Sequence, residues 1–120
     1  MELENSILED VREGLNAPAD FDKELIMHIN GALGILNQNG VGSMVNVTGV
    51  EQTWNDLQDP LQVEGNKLFH MVLLFIVLST KVIFDPPPPS TVAYYSGHID
   101  QILWRLRVAY EVPPINNTTD

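Results

Sequence analysis

The chain has 120 residues, no cysteine, and 16 acidic against 6 basic residues, for a net charge of −10. That length suffices for one domain around a single core, and the absence of cysteine excludes disulfides and thiolate metal sites. Sequence-independent nucleic-acid binding needs lysine and arginine to displace counterions from phosphate, and this composition lacks them; an acidic surface can still matter near DNA, by keeping a passage from sticking to it.

The opening Met1-Glu2-Leu3-Glu4-Asn5-Ser6 is acidic where a secretory signal would be basic, so no export is expected. The sequons Asn46-Val47-Thr48 and Asn117-Thr118-Thr119 would then meet no modifying compartment. Ser6-Ile7-Leu8-Glu9 is a capping box, in which serine hydroxyl and glutamate carboxylate satisfy each other's open helix-end amides. Leu8, Val11 and Leu15 follow at helical spacing, and Gly14, Asn16 and Pro18 end this short helix. A second helix is predicted from Asp20 or Asp22, burying Phe21, Leu25, Ile29, Ala32, Leu33 and Leu36 on one face. Gly40 suits a left-handed C-terminal cap. Gly31 and Gly34 each cost about 1 kcal/mol relative to alanine, which predicts close approach of another helix to offset it.

From Val41 to Val50 the composition turns to Gly, Ser, Asn and Val, predicting a loop or short extended segment. Thr48-Gly49-Val50-Glu51 reads as a second capping box opening a short helix with Trp54 and Leu57, stopped by Asp59-Pro60. A third long helix is predicted from about Val63 to Phe84. Its middle, Met71 to Leu78, is apolar on all sides and should be surrounded by protein. The apolar run Leu68–Leu78 carries His70 and closes with Ser79, Thr80 and Lys81. It is shorter than the roughly 18 residues that span a bilayer, so it is a buried core helix and no membrane partner is expected.

Phe84-Asp85-Pro86-Pro87-Pro88-Pro89 is a structural corner, since prolines lack the amide donor and clash with the preceding turn. Ser90 is the expected cap of a fourth helix, Thr91 to Glu111. The fold class is therefore all-α: a small bundle of three long helices plus one or two short ones. Residues 1–111 form the helical domain and 112–120 a flexible C-terminal arm with too little to bury.

At 100° per residue, Val92, Tyr95, Ile99, Ile102, Leu103, Leu106 and Tyr110 share one core-facing arc of the last helix. Trp104 and Val108 lie outside it. A large aromatic off the core stripe is a candidate interface anchor; the alternative is that Trp104 lies flat on the surface or under the 41–50 loop. Arg105 and Arg107 flank the arc and are expected to pair with carboxylates. The first 24 residues, with eight acidic and two basic side chains, are the complementary patch, within one subunit or between two. Trp54 and the arm residues Pro113, Pro114 and Ile115 complete the candidate partner or subunit interface.

The residues offer little for chemistry. Glu24 and His28 are one turn apart, a spacing that can share a metal, but His28 falls in an apolar stripe and reads as a satisfied core histidine. His70 sits beside Lys67, which would weaken a metal site, and His98 and Asp100 point in different directions. No nucleophile–base pattern, phosphate loop or zinc signature appears. No catalytic, cofactor or metal residue is assigned, and an enzyme, at most a metal-dependent hydrolase using Glu24 and His28, ranks last.

Five segments in order carry a family resemblance: Phe21-Asp22-Lys23-Glu24-Leu25-Ile26-Met27-His28-Ile29-Asn30, Leu36-Asn37-Gln38-Asn39-Gly40-Val41-Gly42, Thr53-Trp54-Asn55-Asp56-Leu57, Lys81-Val82-Ile83-Phe84-Asp85-Pro86-Pro87, and Leu103-Trp104-Arg105-Leu106. With these the sequence resembles the head–tail connector (adaptor, or head-completion) proteins of long-tailed bacteriophages. It departs from the family pattern in having four prolines where two are usual, and Gln101 and Ile102 where glutamate and leucine are commoner. The resemblance implies a homo-oligomeric ring on the portal protein, matching its twelve-fold symmetry, in the virion neck between capsid and tail. Such a ring extends the DNA channel, carries the next neck or tail-completion protein, and is assembled in the host cytoplasm. Alternatives are another neck or tail-completion protein on the same scaffold, or a small acidic regulator binding a host protein through Trp104.

Overall fold

The computed structural model describes residues 2–57, 67–84 and 86–111. The protein is all-α: α1 (Ile7–Leu15), α2 (Asp22–Gln38), α3 (Lys67–Phe84) and α4 (Pro89–Glu111), with single 3-10 turns at Glu2–Glu4, Ala19–Phe21 and Trp54–Leu57. No strand occurs among the described residues, and one isolated antiparallel bridge joins Ser6 to Thr53. No helix among them is long and apolar enough to cross a membrane. Residues 112–120 lie outside the described part.

α1 begins where the Ser6 hydroxyl accepts the Glu9 N–H at 3.2 Å, satisfying one of the amides that a helix start leaves open. It stops at Asn16, whose φ of 56° is left-handed, a conformation asparagine tolerates better than most residues. Gly14, expected to help end the helix, lies inside it with another task. A Cβ there would come within 3.0 Å of Val77 Cγ2, so the bare Cα lets α1 lie close on α3.

α2 buries Leu25, Ile29, Ala32, Leu33 and Leu36, and Gly40 beyond it adopts the predicted left-handed φ, 81°. Phe21 stays largely exposed, its ring edge-on to Phe84 at the end of α3 with centroids 5.4 Å apart. The helix approach expected over Gly31 and Gly34 is not made by any described residue. A Cβ at either would meet nothing within 4 Å among the described residues.

The 41–50 segment is irregular and is laid along α2 by asparagines. Asn30 donates from Nδ2 to the Val47 carbonyl at 3.0 Å and accepts the Val47 N–H on Oδ1 at 2.8 Å, so one side-chain amide stands in for a neighbouring strand. Asn37 Nδ2 donates to the Gly42 carbonyl, and Val41, Val45 and Val47 are buried. The expected capping box at Thr48–Glu51 is displaced. Gln52 closes that loop by accepting the Thr48 N–H on Oε1 and donating to the Thr48 hydroxyl. The turn at Trp54 is instead capped by Asp56, whose Oδ2 accepts the Thr53 N–H at 3.0 Å. Asp59, Pro60 and the predicted start of the third helix at Val63 lie outside the described residues.

α3 packs against each of the other three helices, burying Val72, Phe75, Ile76 and Thr80. The protomer alone does not enclose the helix. Leu74 is 40% exposed and Ile83 is 65% exposed, so part of its apolar circumference faces outward.

Asp85 lies outside the described residues. α4 starts at Pro89, earlier than expected, and Ser90 is exposed instead of capping. The Pro88 carbonyl accepts the N–H groups of Thr91 at 2.8 Å and Val92 at 3.0 Å. Proline suits the first helical position, where its missing N–H would have had no partner in any case. Prolines that cannot continue α3 are thus well suited to begin α4. Ile102 and Leu106 are buried, while Val92, Tyr95, Ile99, Leu103 and Tyr110 are half-buried along the predicted arc.

Candidate interaction surface

Among the described residues no group of three His, Asp or Glu side chains is placed to hold a metal ion. His28 Nε2 lies 3.8 Å from Glu24 Oε2 within one helical turn, with His28 mostly buried. That is a pair, not a ligand set.

The two tryptophans have opposite placements. Trp54, expected at a partner or subunit interface, is fully buried and belongs to the core. Its Nε1–H donates to Asp10 Oδ2 at 2.7 Å, and its ring meets Phe69 edge-on at 5.2 Å. A buried indole needs such an acceptor for its N–H, and α1 supplies it. Trp104 is 61% exposed on α4, so the 41–50 segment does not cover it. Val108 one turn on is also exposed, as are Arg105 and Arg107. Further along α4, Tyr94 is exposed and stacks on His98, the rings 8° from parallel. A second apolar strip runs on α2, where Met27 and Ile35 are exposed on either side of open Gly31.

The acidic counterpart lies on α1. Arg12 is gripped by Asp22 through two hydrogen bonds, Nε to Oδ1 at 2.9 Å and Nη2 to Oδ2 at 2.7 Å. The Asp22 hydrogen bond raises the Arg12 pKa further above its already high value, so this cation stays charged and occupied. Beside it, Asn5, Asp10 and Glu13 are shared by two adjoining hollows. One, of ≈ 320 Å³, is completed by Phe69, His70 and Leu73 of α3; the other runs along Glu9 and Asn16. The result is a groove with acidic and apolar walls.

Over residues 7–113 the sequence matches the family model for phage connector proteins. The chain belongs to the phage connector family. No curated protein and no solved structure matches it. The phage connector family is a structural one, and membership implies contacts with other head or tail proteins and a place in the virion neck.

The match takes in all four described α-helices, with Phe84 and the four prolines that follow Asp85, and ends at Pro113. Pro113, Pro114 and Ile115 lie outside the described residues. Sequence reasoning missed one surface feature of this connector and placed another only within the broad acidic patch of the first 24 residues. Met27 and Ile35 repeat the four-residue spacing of the core stripe two positions on. Glu9 and Glu13 are like charges one turn apart, an arrangement that opposes helix formation by a few tenths of a kcal/mol and is a sign of a surface shaped for something else.

Proposed function

We propose that this connector forms a ring on the portal, matching its twelve-fold symmetry, extends the DNA channel and carries the next neck or tail-completion protein. The family match over residues 7–113 is the observation that carries this reading. The surface supports it. Leu74, Ile83, Met27, Ile35 and Trp104 are all left exposed by the protomer, and apolar area on several faces suits a subunit with neighbours on more than one side. Repeated head-to-tail contact closes into a ring when the rotation per subunit closes. A net charge of −10 suits a wall along which DNA slides, because unpaired carboxylates repel phosphate. Residues 112–120 are proposed as an arm that docks on the portal.

Electron microscopy of the purified chain, alone and mixed with portal rings of the same virion, tests the reading. Rings, free or seated on the portal, are expected. A chain that stays monomeric at high concentration and never binds the portal overturns it, and a monomer that binds a host protein through α4 favours the regulator reading. Deleting residues 112–120 is expected to leave a folded protomer that attaches poorly to the portal; unchanged attachment removes the arm from the proposal.

A further inference from the structure

We infer that, within the ring proposed above, the outer strip of α4 in one copy docks in the acidic groove of α1 and α3 in the next. Arg105 would enter beside Glu13, and Trp104 would cover the apolar wall at Leu73. The proposal rests on the ring reading and names its interface.

Charge is the first reason. Two copies that each carry −10 repel, so a stable contact must bring a cation of one to the carboxylates of the other. Among the six basic residues only Arg105 and Arg107 lie within a helical turn of each other. Arg12 is held by Asp22. Arg105 is exposed and forms no ion pair with another described residue. Across from such a cation, the groove presents Glu9 and Glu13, both exposed, and Asp10, whose Oδ2 is fixed by the Trp54 N–H. A guanidinium placed near Glu9 and Glu13 would relieve their mutual repulsion.

Chemistry and position supply the rest. The strip has a tryptophan beside its arginine, two of the residue types most enriched at binding hot spots. The groove offers an apolar wall beside its carboxylates. The strip on α4 and the groove's carboxylates on α1 belong to helices that do not pack substantially on each other: α4 packs mainly on α3, which also supplies the groove's apolar wall, while α1 packs on α2 and α3. One protomer therefore presents both halves at different places on its surface, as a head-to-tail contact requires.

A charge swap tests the assignment. Arg105→Glu and Glu13→Arg are each expected to raise the concentration for half-assembly about tenfold or more. Combining both in one chain is expected to recover most of that loss, the coupling expected of side chains in contact. Melting by circular dichroism checks that each variant is folded. Because the chain has no cysteine, a second measurement is free of competing thiols. Chains carrying Glu13→Cys are mixed with chains carrying Arg105→Cys, assembled on portal rings and oxidised. Mixed disulfide dimers are expected, and only contact between copies can produce them. Folded Arg105→Glu that assembles like the wild type, or rings that yield no mixed dimer, overturns this interface and leaves the ring standing. A wild-type chain that forms no ring at all removes both.

Discussion

Trp54 and Trp104 mark two regions built on different rules. Around Trp54, α1, the 41–50 segment and the start of α3 close on one another. The indole is fully buried, its N–H is satisfied by Asp10, and its ring is fixed against Phe69. Around Trp104 the protein is one helix deep. α4 sends Ile102 and Leu106 inward onto the core and leaves an indole 61% exposed on its other side. The first region is finished within the protomer, and its residues are explained by packing. The second is explained only in part by packing, and Trp104, Val108 and Arg105 remain exposed on it. In a protein whose role is to connect others, this division lets the α4 surface vary or engage a partner without disturbing the element that holds the fold.

The strongest test of that division is the same substitution at both sites. Trp54→Ala removes a fully buried ring and leaves Asp10 facing a cavity, with an expected loss of about 3–5 kcal/mol. Against a typical total stability of about 5–15 kcal/mol, this leaves much of the chain unfolded near physiological temperature. Trp104→Ala is expected to stay within about 0.5 kcal/mol of the parent while impairing ring formation or portal docking. Urea denaturation followed by circular dichroism measures the first pair of values, and sedimentation or microscopy the assembly. If Trp104→Ala unfolds the chain as Trp54→Ala does, the division is wrong and α4 is as much core as α1.

Asn30→Ala sharpens the boundary of the closed region. It strips the Val47 N–H and carbonyl of the partners that stand in for a strand, at an expected cost of about 1–3 kcal/mol. Amide exchange at Val47 should quicken more than exchange within α4. Equal quickening everywhere would mean that the 41–50 segment and α4 unfold as one unit.

This clamp also shows where sequence reasoning reaches its limit. Periodicity predicts the buried stripe of α2 and the inward arc of α4, and the Ser6–Glu9 spacing predicts the start of α1, because those signals are local. Asn30 gives no local sign of its task, since its partner lies 17 residues away and is a backbone group. The cap at Thr48 was misplaced for a related reason. Thr48, Gln52, Thr53 and Asp56 all offer capping atoms, and the buried position of Trp54 selects among them. At the prolines, the rule that they end helices is correct for α3, yet the same residues begin α4. Of the candidate surface, Trp104, Val108 and the two arginines were legible from their angle on the helix. The groove on α1 was not, because its far wall comes from α3, and no pattern within α1 reveals which element lies beside it.

The smallest expected effect comes from two glycines that the sequence presents as alike. Both Gly14 and Gly31 lie inside helices, where alanine is intrinsically better by about 1 kcal/mol. At Gly31 nothing among the described residues opposes that gain, because an added methyl meets nothing within 4 Å. At Gly14 the methyl meets Val77 Cγ2 at 3.0 Å, so α1 and α3 must part or Val77 must turn. Gly31→Ala is therefore expected to raise the melting temperature by about 4 °C, and Gly14→Ala to give less than this or to lower it. A Gly14→Ala variant as stable as Gly31→Ala would show that Val77 yields easily and that the close approach of α1 is not set by the glycine. The more informative result is at assembly. A Gly31→Ala protomer that is more stable alone but forms rings less readily would mean that a neighbouring subunit makes the close approach the described residues leave open. The exposed Met27–Gly31–Ile35 face would then join Trp104 in the unfinished region.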